Sequence, residues 1–256
     1  MIDPLASFRL DGKVVILTGA SSGLGARFAK VCDAAGASLV LAARRLDRLE
    51  ELANSLSNAV AVRADFATDQ AAPLCVEAAL SNFGAIDVVI NNAGISRVIK
   101  ATEDTMEGFR NELQIDLVAP YDLASRAAKW MIENGRQGSV VNMASVLGRV
   151  GGGPMPAPGY AAAKGGLVQL TRELASQWAR QGVRVNAIGP AWFETEMTKA
   201  AMFDDEGGQA FIKRGTPMGR AGKEHELDGA LLFLASEASS YVTGQTLFVD
   251  GGWTIV

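Results

Sequence analysis

The sequence predicts a doubly wound α/β fold: one domain built on a seven-stranded parallel sheet with helices on both faces. Three observations carry this. Short β-branched apolar runs alternate with longer helical stretches. The runs are continuously apolar rather than alternating, as strands covered on both faces are. A glycine-rich turn, Thr18-Gly19-Ala20-Ser21-Ser22-Gly23-Leu24-Gly25, joins the first run to the first helical stretch.

The strand candidates are residues 14–17, 38–42, 59–62, 88–90, 139–143, 184–188 and 246–249. Helical patterning fills most of the intervals, over residues 24–35, 45–56, 69–83, 108–133, 160–181 and 224–236. Gly36 follows the first helix where a left-handed stop is expected. Strand–helix alternation implies parallel pairing through right-handed crossovers. No proline-rich, serine-rich or charged linker divides the 256 residues, so residues 1–256 read as a single domain.

With 48% hydrophobic residues the chain can bury a substantial core. A net charge of −4 gives no reason to expect nucleic acid. No apolar run reaches the roughly 18 residues of a membrane span, and Met1-Ile2-Asp3-Pro4-Leu5 lacks the build of a signal peptide. A cytoplasmic protein is expected. Cys32 and Cys75 fall on separate helical stretches and read as reduced, packed thiols. The single histidine, His225, sits among charged residues and reads as solvated. No metal-ligand cluster is visible, and a histidine-based triad is not expected.

The glycine turn has the context of a dinucleotide site. Gly19 permits a tight turn, Gly23 lets the backbone approach a pyrophosphate, and Gly25 lets the helix pack close to the sheet. Ser21, Ser22 and Leu24 complete a turn that places a helix N-terminus beneath the phosphates. After the second strand, the acid that accepts from an adenosine 2′-hydroxyl is missing. Ala43-Arg44-Arg45 stands there instead. A guanidinium pairs well with a phosphate, which points to NADP(H) rather than NAD(H), with Arg44 the first choice and Arg45 the second. The plainer reading is a solvated basic start to the next helix. Asp65, with Phe66 beside it, could accept from the adenine amino group or cap the following helix.

With these motifs in order, the chain resembles the short-chain dehydrogenase/reductase family, in its single-domain branch, from near Leu10 to Trp253. Thr18–Gly25 is similar to the family's TGxxxGxG, Asn91-Asn92-Ala93-Gly94 to its NNAG, and Ser145 with Tyr160-Ala-Ala-Ala-Lys164 to its catalytic serine and YxxxK. Gly244-Gln245 and Val249-Asp250-Gly251-Gly252 are similar to its C-terminus. The resemblance implies that Asn91, Ala93 and Gly94 support the cofactor cleft. It implies that Lys164 also holds the nicotinamide ribose, and that Pro190, Phe193 and Thr195 lie at the nicotinamide. It further implies a homo-oligomer, a tetramer or a dimer.

Tyr160 and Lys164, four residues apart, share one helix face. A free tyrosine titrates near about 10, and a neighbouring ammonium should lower that value. Tyr160 then serves as general acid in reduction or base in oxidation, while Ser145 donates to the substrate carbonyl. Taken singly, each has an ordinary reading: packing, a solvated charge, a helix cap.

Three departures from the family pattern matter. Asp116 stands where the family often has an asparagine that holds a water beside the lysine. An ionised carboxylate cannot donate, and near Lys164 it would oppose the lowering of the tyrosine pKa; alternatively it is an ordinary helix residue. The interval between Ser145 and Tyr160 is longer than the family norm, through a glycine- and proline-rich stretch, 151–158, expected at the substrate mouth. Ala191 replaces the glycine that usually follows Pro190.

Residues 195–220 should form a lid over a small, hydrophobic carbonyl or alcohol substrate, with Gly207-Gly208 as a hinge. Alternatively most of Met197, Met202, Phe203, Phe211 and Met218 are core of two short helices. Arg136 lies where a carrier protein could dock. The leading expectation is an NADP(H)-dependent carbonyl reductase or alcohol dehydrogenase. The alternatives are a 3-oxoacyl-carrier-protein or 3-oxoacyl-CoA reductase and, from another class, a non-catalytic sensor of nicotinamide redox state.

Overall fold

The seven apolar runs become seven strands: β1 (Val14–Thr18), β2 (Ser38–Ala43), β3 (Ala59–Arg63), β4 (Val88–Asn91), β5 (Gly138–Met143), β6 (Val183–Pro190) and β7 (Thr246–Val249). The computed structural model describes residues 3–256; Met1 and Ile2, where the N-terminal segment discussed above begins, lie outside the described residues. The strands form one parallel sheet in the order β3-β2-β1-β4-β5-β6-β7. Helices α1 (Gly23–Ala34), α2 (Leu46–Asn54), α3 (Ala71–Phe83), α4 (Met106–Leu113), α5 (Ala119–Glu133), α6 (Pro158–Trp178), α7 (Glu206–Gly215) and α8 (Asp228–Ala235) supply the connections. The strand order reverses between β1 and β4. The loops leaving these two strands therefore part in opposite directions and open a crevice at the carboxyl end of the sheet.

The pleat divides β1 between two apolar layers. Val15 and Leu17 join Phe28 and Cys32 of α1, Leu49 of α2 and Leu231 of α8. Val14 and Ile16 join Cys75 of α3 and Leu123 and Met131 of α5. The two cysteines thus lie in separate layers on opposite sides of the sheet, both buried and free, with burial pushing each thiol up to about 12. Gly36 takes φ +99° just past α1, the left-handed stop expected there. His225 is exposed. Among the described residues no helix is long and apolar enough to cross a membrane.

The helix expected over 108–133 is not continuous. α4 ends at Leu113, a wide π turn runs over Gln114–Val118, and α5 starts at Ala119. Pro120 has no N–H to give the carbonyl of residue 116, so the ordinary ladder fails there. The Ala119 N–H instead reaches the carbonyl of Gln114, and the turn widens by one residue. The helix expected over 224–236 likewise opens as a tight 3₁₀ turn, Glu224–Leu227, before α8.

Within 195–220, Met202 and Ile212 are buried against Trp192, with Phe203, Phe211 and Trp253 packed around them. The rings of Trp192, Phe211 and Trp253 meet edge to face at 5.1–5.7 Å. These side chains are core, and among the described apolar residues of the segment Met197 alone borders the central cleft. Gly207 and Gly208 lie in the first turn of α7, where the Gly208 N–H donates to Asp205 Oδ2 at 2.7 Å. The pair therefore starts a capped helix rather than an open loop.

Candidate active site

A cleft of about 550 Å³ follows the crevice at the carboxyl ends of β1, β2, β4, β5 and β6. Its floor begins at the glycine turn. Gly19 and Gly23 have φ +69° and +50°, values that favour glycine. A Cβ on Gly19 would sit 2.8 Å from the Cα of Ala93, and one on Gly25 would strike the Gly19 carbonyl. The turn is tied to the loop after β4 by Thr18 Oγ1, which accepts from the N–H groups of Asn92 and Ala93, both at 2.9 Å. Asn92 Nδ2 donates to the carbonyl of Thr18 at 2.9 Å. This is a bare backbone surface at a helix N-terminus, the form that accepts phosphates.

The expected cofactor residues Gly19, Ser21, Ser22, Gly23, Leu24, Gly25, Arg44, Arg45, Asp65, Phe66, Ala93, Gly94, Tyr160, Lys164, Pro190, Phe193 and Thr195 all border this one cleft. Asn91 does not. It is buried beneath the floor, donating to Asn142 Oδ1 at 2.9 Å and to the Pro120 carbonyl at 3.2 Å. As the last residue of β4 it directs its amide into the protein, and Asn92 takes the cleft position. Arg44 is exposed, with no ion pair or hydrogen bond in the described structure. Arg45 is occupied: its guanidinium donates to Ser21 Oγ (3.2 Å), Ser22 Oγ (2.6 Å) and Glu196 Oε2 (2.9 Å). The Asp65 carboxylate accepts from the Ala67 N–H at 3.1 Å while still bordering the cleft.

At the other end of the cleft stand Ser145, Tyr160 and Lys164. Ser145 follows β5, and its Oγ accepts from the Leu147 N–H at 3.1 Å. The hydroxyl is therefore a cap, as the plainer reading held, and its proton faces the Tyr160 phenol. Tyr160 and Lys164 share a face of α6, with Lys164 Nζ 5.3 Å from the Tyr160 ring centre. Lys164 is 4% exposed and donates to the Met143 carbonyl at 2.9 Å. Its second partner is Asp116, fully buried, with Oδ1 at 3.1 Å. The other carboxylate oxygen, Oδ2, accepts from the Ile95 N–H at 3.2 Å. The π turn carries Asp116, and Gly94 leaves room for it: a Cβ there would press on the Asp116 carboxylate. Asp116 is thus an ion-pair partner of Lys164 rather than an ordinary helix residue.

The electrostatics correct the expectation for Tyr160. Burial pushes its phenol up; Lys164 pulls it down, Asp116 pushes it up, and a hydrogen bond to Ser145 pulls it down. The net direction is above the ordinary tyrosine value. The lysine alone would lower it, but Asp116 neutralises much of that field. Burial opposes the charge on Lys164, yet Asp116 and Tyr160 outweigh it and hold the ammonium above its ordinary value. Burial raises the Asp116 carboxyl against the pull of Lys164 and the Ile95 N–H.

Three contributors escaped sequence reasoning. Asn92 braces the glycine turn, although it stands inside the quoted NNAG. Glu112, fully buried on α4, accepts from the Arg97 N–H at 2.7 Å and from its guanidinium at 3.1 Å, pinning the loop after Gly94. Glu196 crosses the cleft to Arg45 and Arg48. Nothing in local sequence marks either acid, because each finds its partner only through the tertiary fold. Arg136 packs over Trp130 and pairs loosely with Asp87 at 3.8 Å, an ordinary surface role.

A family model described as enoyl-(acyl carrier protein) reductase matches residues 19–254. The chain is 38% identical over 250 residues to galactitol 2-dehydrogenase (L-tagatose-forming) of Cereibacter sphaeroides, covering 97% of each chain. The crystal structure of a short-chain type dehydrogenase/reductase from Mycobacterium marinum superposes with a TM-score of 0.93 at 31% identity, over 99% of this chain and 100% of that one. That of a gluconate 5-dehydrogenase from Burkholderia cenocepacia, in complex with NADP and tartrate, gives a TM-score of 0.92 at 33% identity over 99% and 100%. With its parallel sheet, glycine turn and Ser145–Tyr160–Lys164 cluster, the chain belongs to the short-chain dehydrogenase/reductase family and is an oxidoreductase of that family.

Proposed function

We propose that the chain is an NADP(H)-dependent oxidoreductase that interconverts a carbonyl and a secondary alcohol, with Tyr160 as the general acid and base. The observation that carries this is the single cleft with two ends. Bare glycine backbone and arginines line one end, and Ser145, Tyr160 and Lys164 line the other. The residues fit the cofactor: a Cβ at Gly19 or Gly25 would strike Ala93, Asn92 or the turn's own carbonyl, so only glycine keeps this turn with its backbone facing the cleft, and Arg44 stands free to meet a 2′-phosphate. The relative crystallised with NADP supports the same choice. When bound, NADP(H) gives or takes the hydride at the Tyr160 end.

The chain's own groups do the rest. Ser145 donates its hydroxyl proton to the substrate oxygen, where negative charge grows during reduction. Tyr160 gives that oxygen a proton in reduction and takes one in oxidation. Lys164, held by Met143 and Asp116, keeps its charge beside the phenol. Because the Tyr160 phenol lies above its ordinary value, the protonated form persists through neutral pH. This suits reduction at neutral pH and confines fast oxidation to alkaline pH. One domain carries both ends of the site, and residues 195–198, at the start of the 195–220 segment, border the substrate end. The named activities of the relatives support a polyhydroxylated ketone or alcohol, and Ser96 and Ser145 offer hydroxyls at the cleft.

The test is oxidation of NADPH and NADH at neutral pH over a panel of ketones that includes ketoses, keto acids, aryl ketones and a 3-oxoacyl thioester. Turnover with NADPH well above NADH is expected. Cofactor binding without turnover of any ketone would overturn the catalytic reading in favour of a nicotinamide sensor.

A further inference from the structure

The two arginines at the start of α2 hold an anion that belongs to the protein itself. Arg45 spans Ser21, Ser22 and Glu196 with three of its donors. Arg48 Nη1 donates to the second Glu196 oxygen at 2.8 Å. The Glu196 carboxylate is therefore bridged by two guanidinium groups, Arg48 and Arg45, which hold it below its ordinary value. Two oxygens facing two guanidinium groups is also the way arginines take a phosphate monoester. Ser21, Ser22, Arg44, Arg45 and Glu196 border the same cleft.

Glu196 comes from the far side of that cleft, on the segment that follows β6. The backbone of that segment is tied to itself. The Thr195 N–H donates to Thr198 Oγ1 at 3.0 Å, and Thr198 Oγ1 donates to the Phe193 carbonyl at 2.6 Å. None of these bonds uses the Glu196 side chain, so it can leave the arginines by rotating about its own bonds while residues 193–198 keep their place at the reacting end. Both Glu196 pairs lie at the rim, with the glutamate side chain 56% exposed. Pairs of that kind are individually weak and readily exchanged for a more highly charged anion.

We propose that Glu196 is a built-in stand-in for the cofactor 2′-phosphate, and that the phosphate of NADP(H) displaces it from Arg45 and Arg48. A cofactor with a 2′-phosphate takes the place of the carboxylate, and one without it leaves the carboxylate bridging the cleft. This rests on the NADP(H) reading and adds to it a competitor supplied by the chain.

The test is equilibrium binding to wild type, Glu196→Gln and Glu196→Ala, by nucleotide fluorescence for NADPH and NADH and by competition for 2′,5′-ADP and 5′-AMP. Because Glu196 is exposed, neither variant disturbs the core. Both variants should bind NADPH and 2′,5′-ADP about threefold to tenfold more tightly than wild type, the scale of two rim ion pairs. NADH and 5′-AMP should stay within about twofold. Unchanged or weaker NADPH binding in both variants, with wild type still preferring NADPH, overturns this proposal alone. Equal tightening of all four nucleotides also overturns it, since that is a general charge effect. Wild type that binds NADH as tightly as NADPH overturns the cofactor reading and this proposal together.

Discussion

Replacing Asp116 by asparagine removes the negative charge that sets Tyr160 apart from a tyrosine facing only a lysine. Asp116 Oδ1 lies 3.1 Å from Lys164 Nζ, and that nitrogen lies 5.3 Å from the Tyr160 ring centre. Laid end to end, these distances put the carboxylate within about 8 Å of the ring. At an effective dielectric of about 20, its repulsion of a phenolate at that range is about 2 kcal/mol. Each 1.36 kcal/mol, approximately, is a factor of ten between protonation states. The variant should therefore hold about 10 to 30 times more phenolate than wild type at any pH below the phenol's ionisation. The sign follows from the raised phenol. Oxidation needs the phenolate and rises as pH climbs toward that value; reduction needs the phenol and fails above it. Initial rates of alcohol oxidation from about pH 6 to pH 10 should begin their rise at lower pH in Asp116→Asn. Reduction should lose its alkaline limb earlier. Asp116 Oδ2 accepts from the Ile95 N–H, while Oδ1 faces the buried Lys164 ammonium as an ion pair; a neutral amide gives up that pairing, so the variant should also lose about 1–3 kcal/mol of stability, read as a lower thermal midpoint. Superimposable pH–rate curves in a folded variant would refute this electrostatic account.

Other consequences can be checked separately. Arg44→Ala should weaken NADPH binding by about tenfold or more, the scale of a lost charge-assisted contact, with NADH binding nearly unchanged in a fluorescence titration. Gly94→Ala would bring a methyl group onto the Asp116 carboxylate. Overpacking of this kind costs about 1–3 kcal/mol, and loss of turnover together with a lowered denaturation midpoint is expected.

Much of the fold was legible because parallel strands buried on both faces leave an unbroken apolar signature. All seven strands appear where such runs occur, with ends displaced by no more than a turn residue or two. The glycine turn was legible because only glycine tolerates its backbone angles and its approach to Ala93. The π turn at Gln114–Val118 was not, since helical patterning over 108–133 is continuous; only Pro120 hinted at a break, and proline is also common in a first helical turn. The direction of the Tyr160 shift depended on which charge lay nearer and how deeply the site was buried, neither of which spacing reveals. Glu112 and Glu196 act through partners that only the tertiary fold supplies.

The most direct test of the central claim, that Tyr160 carries the proton of a hydride transfer, is the activity of Tyr160→Phe with NADPH and the best ketone, beside its affinity for NADPH. The account predicts turnover reduced by at least about a hundredfold, the scale of general acid catalysis, with cofactor affinity little changed. Turnover near wild type in the phenylalanine variant would contradict it.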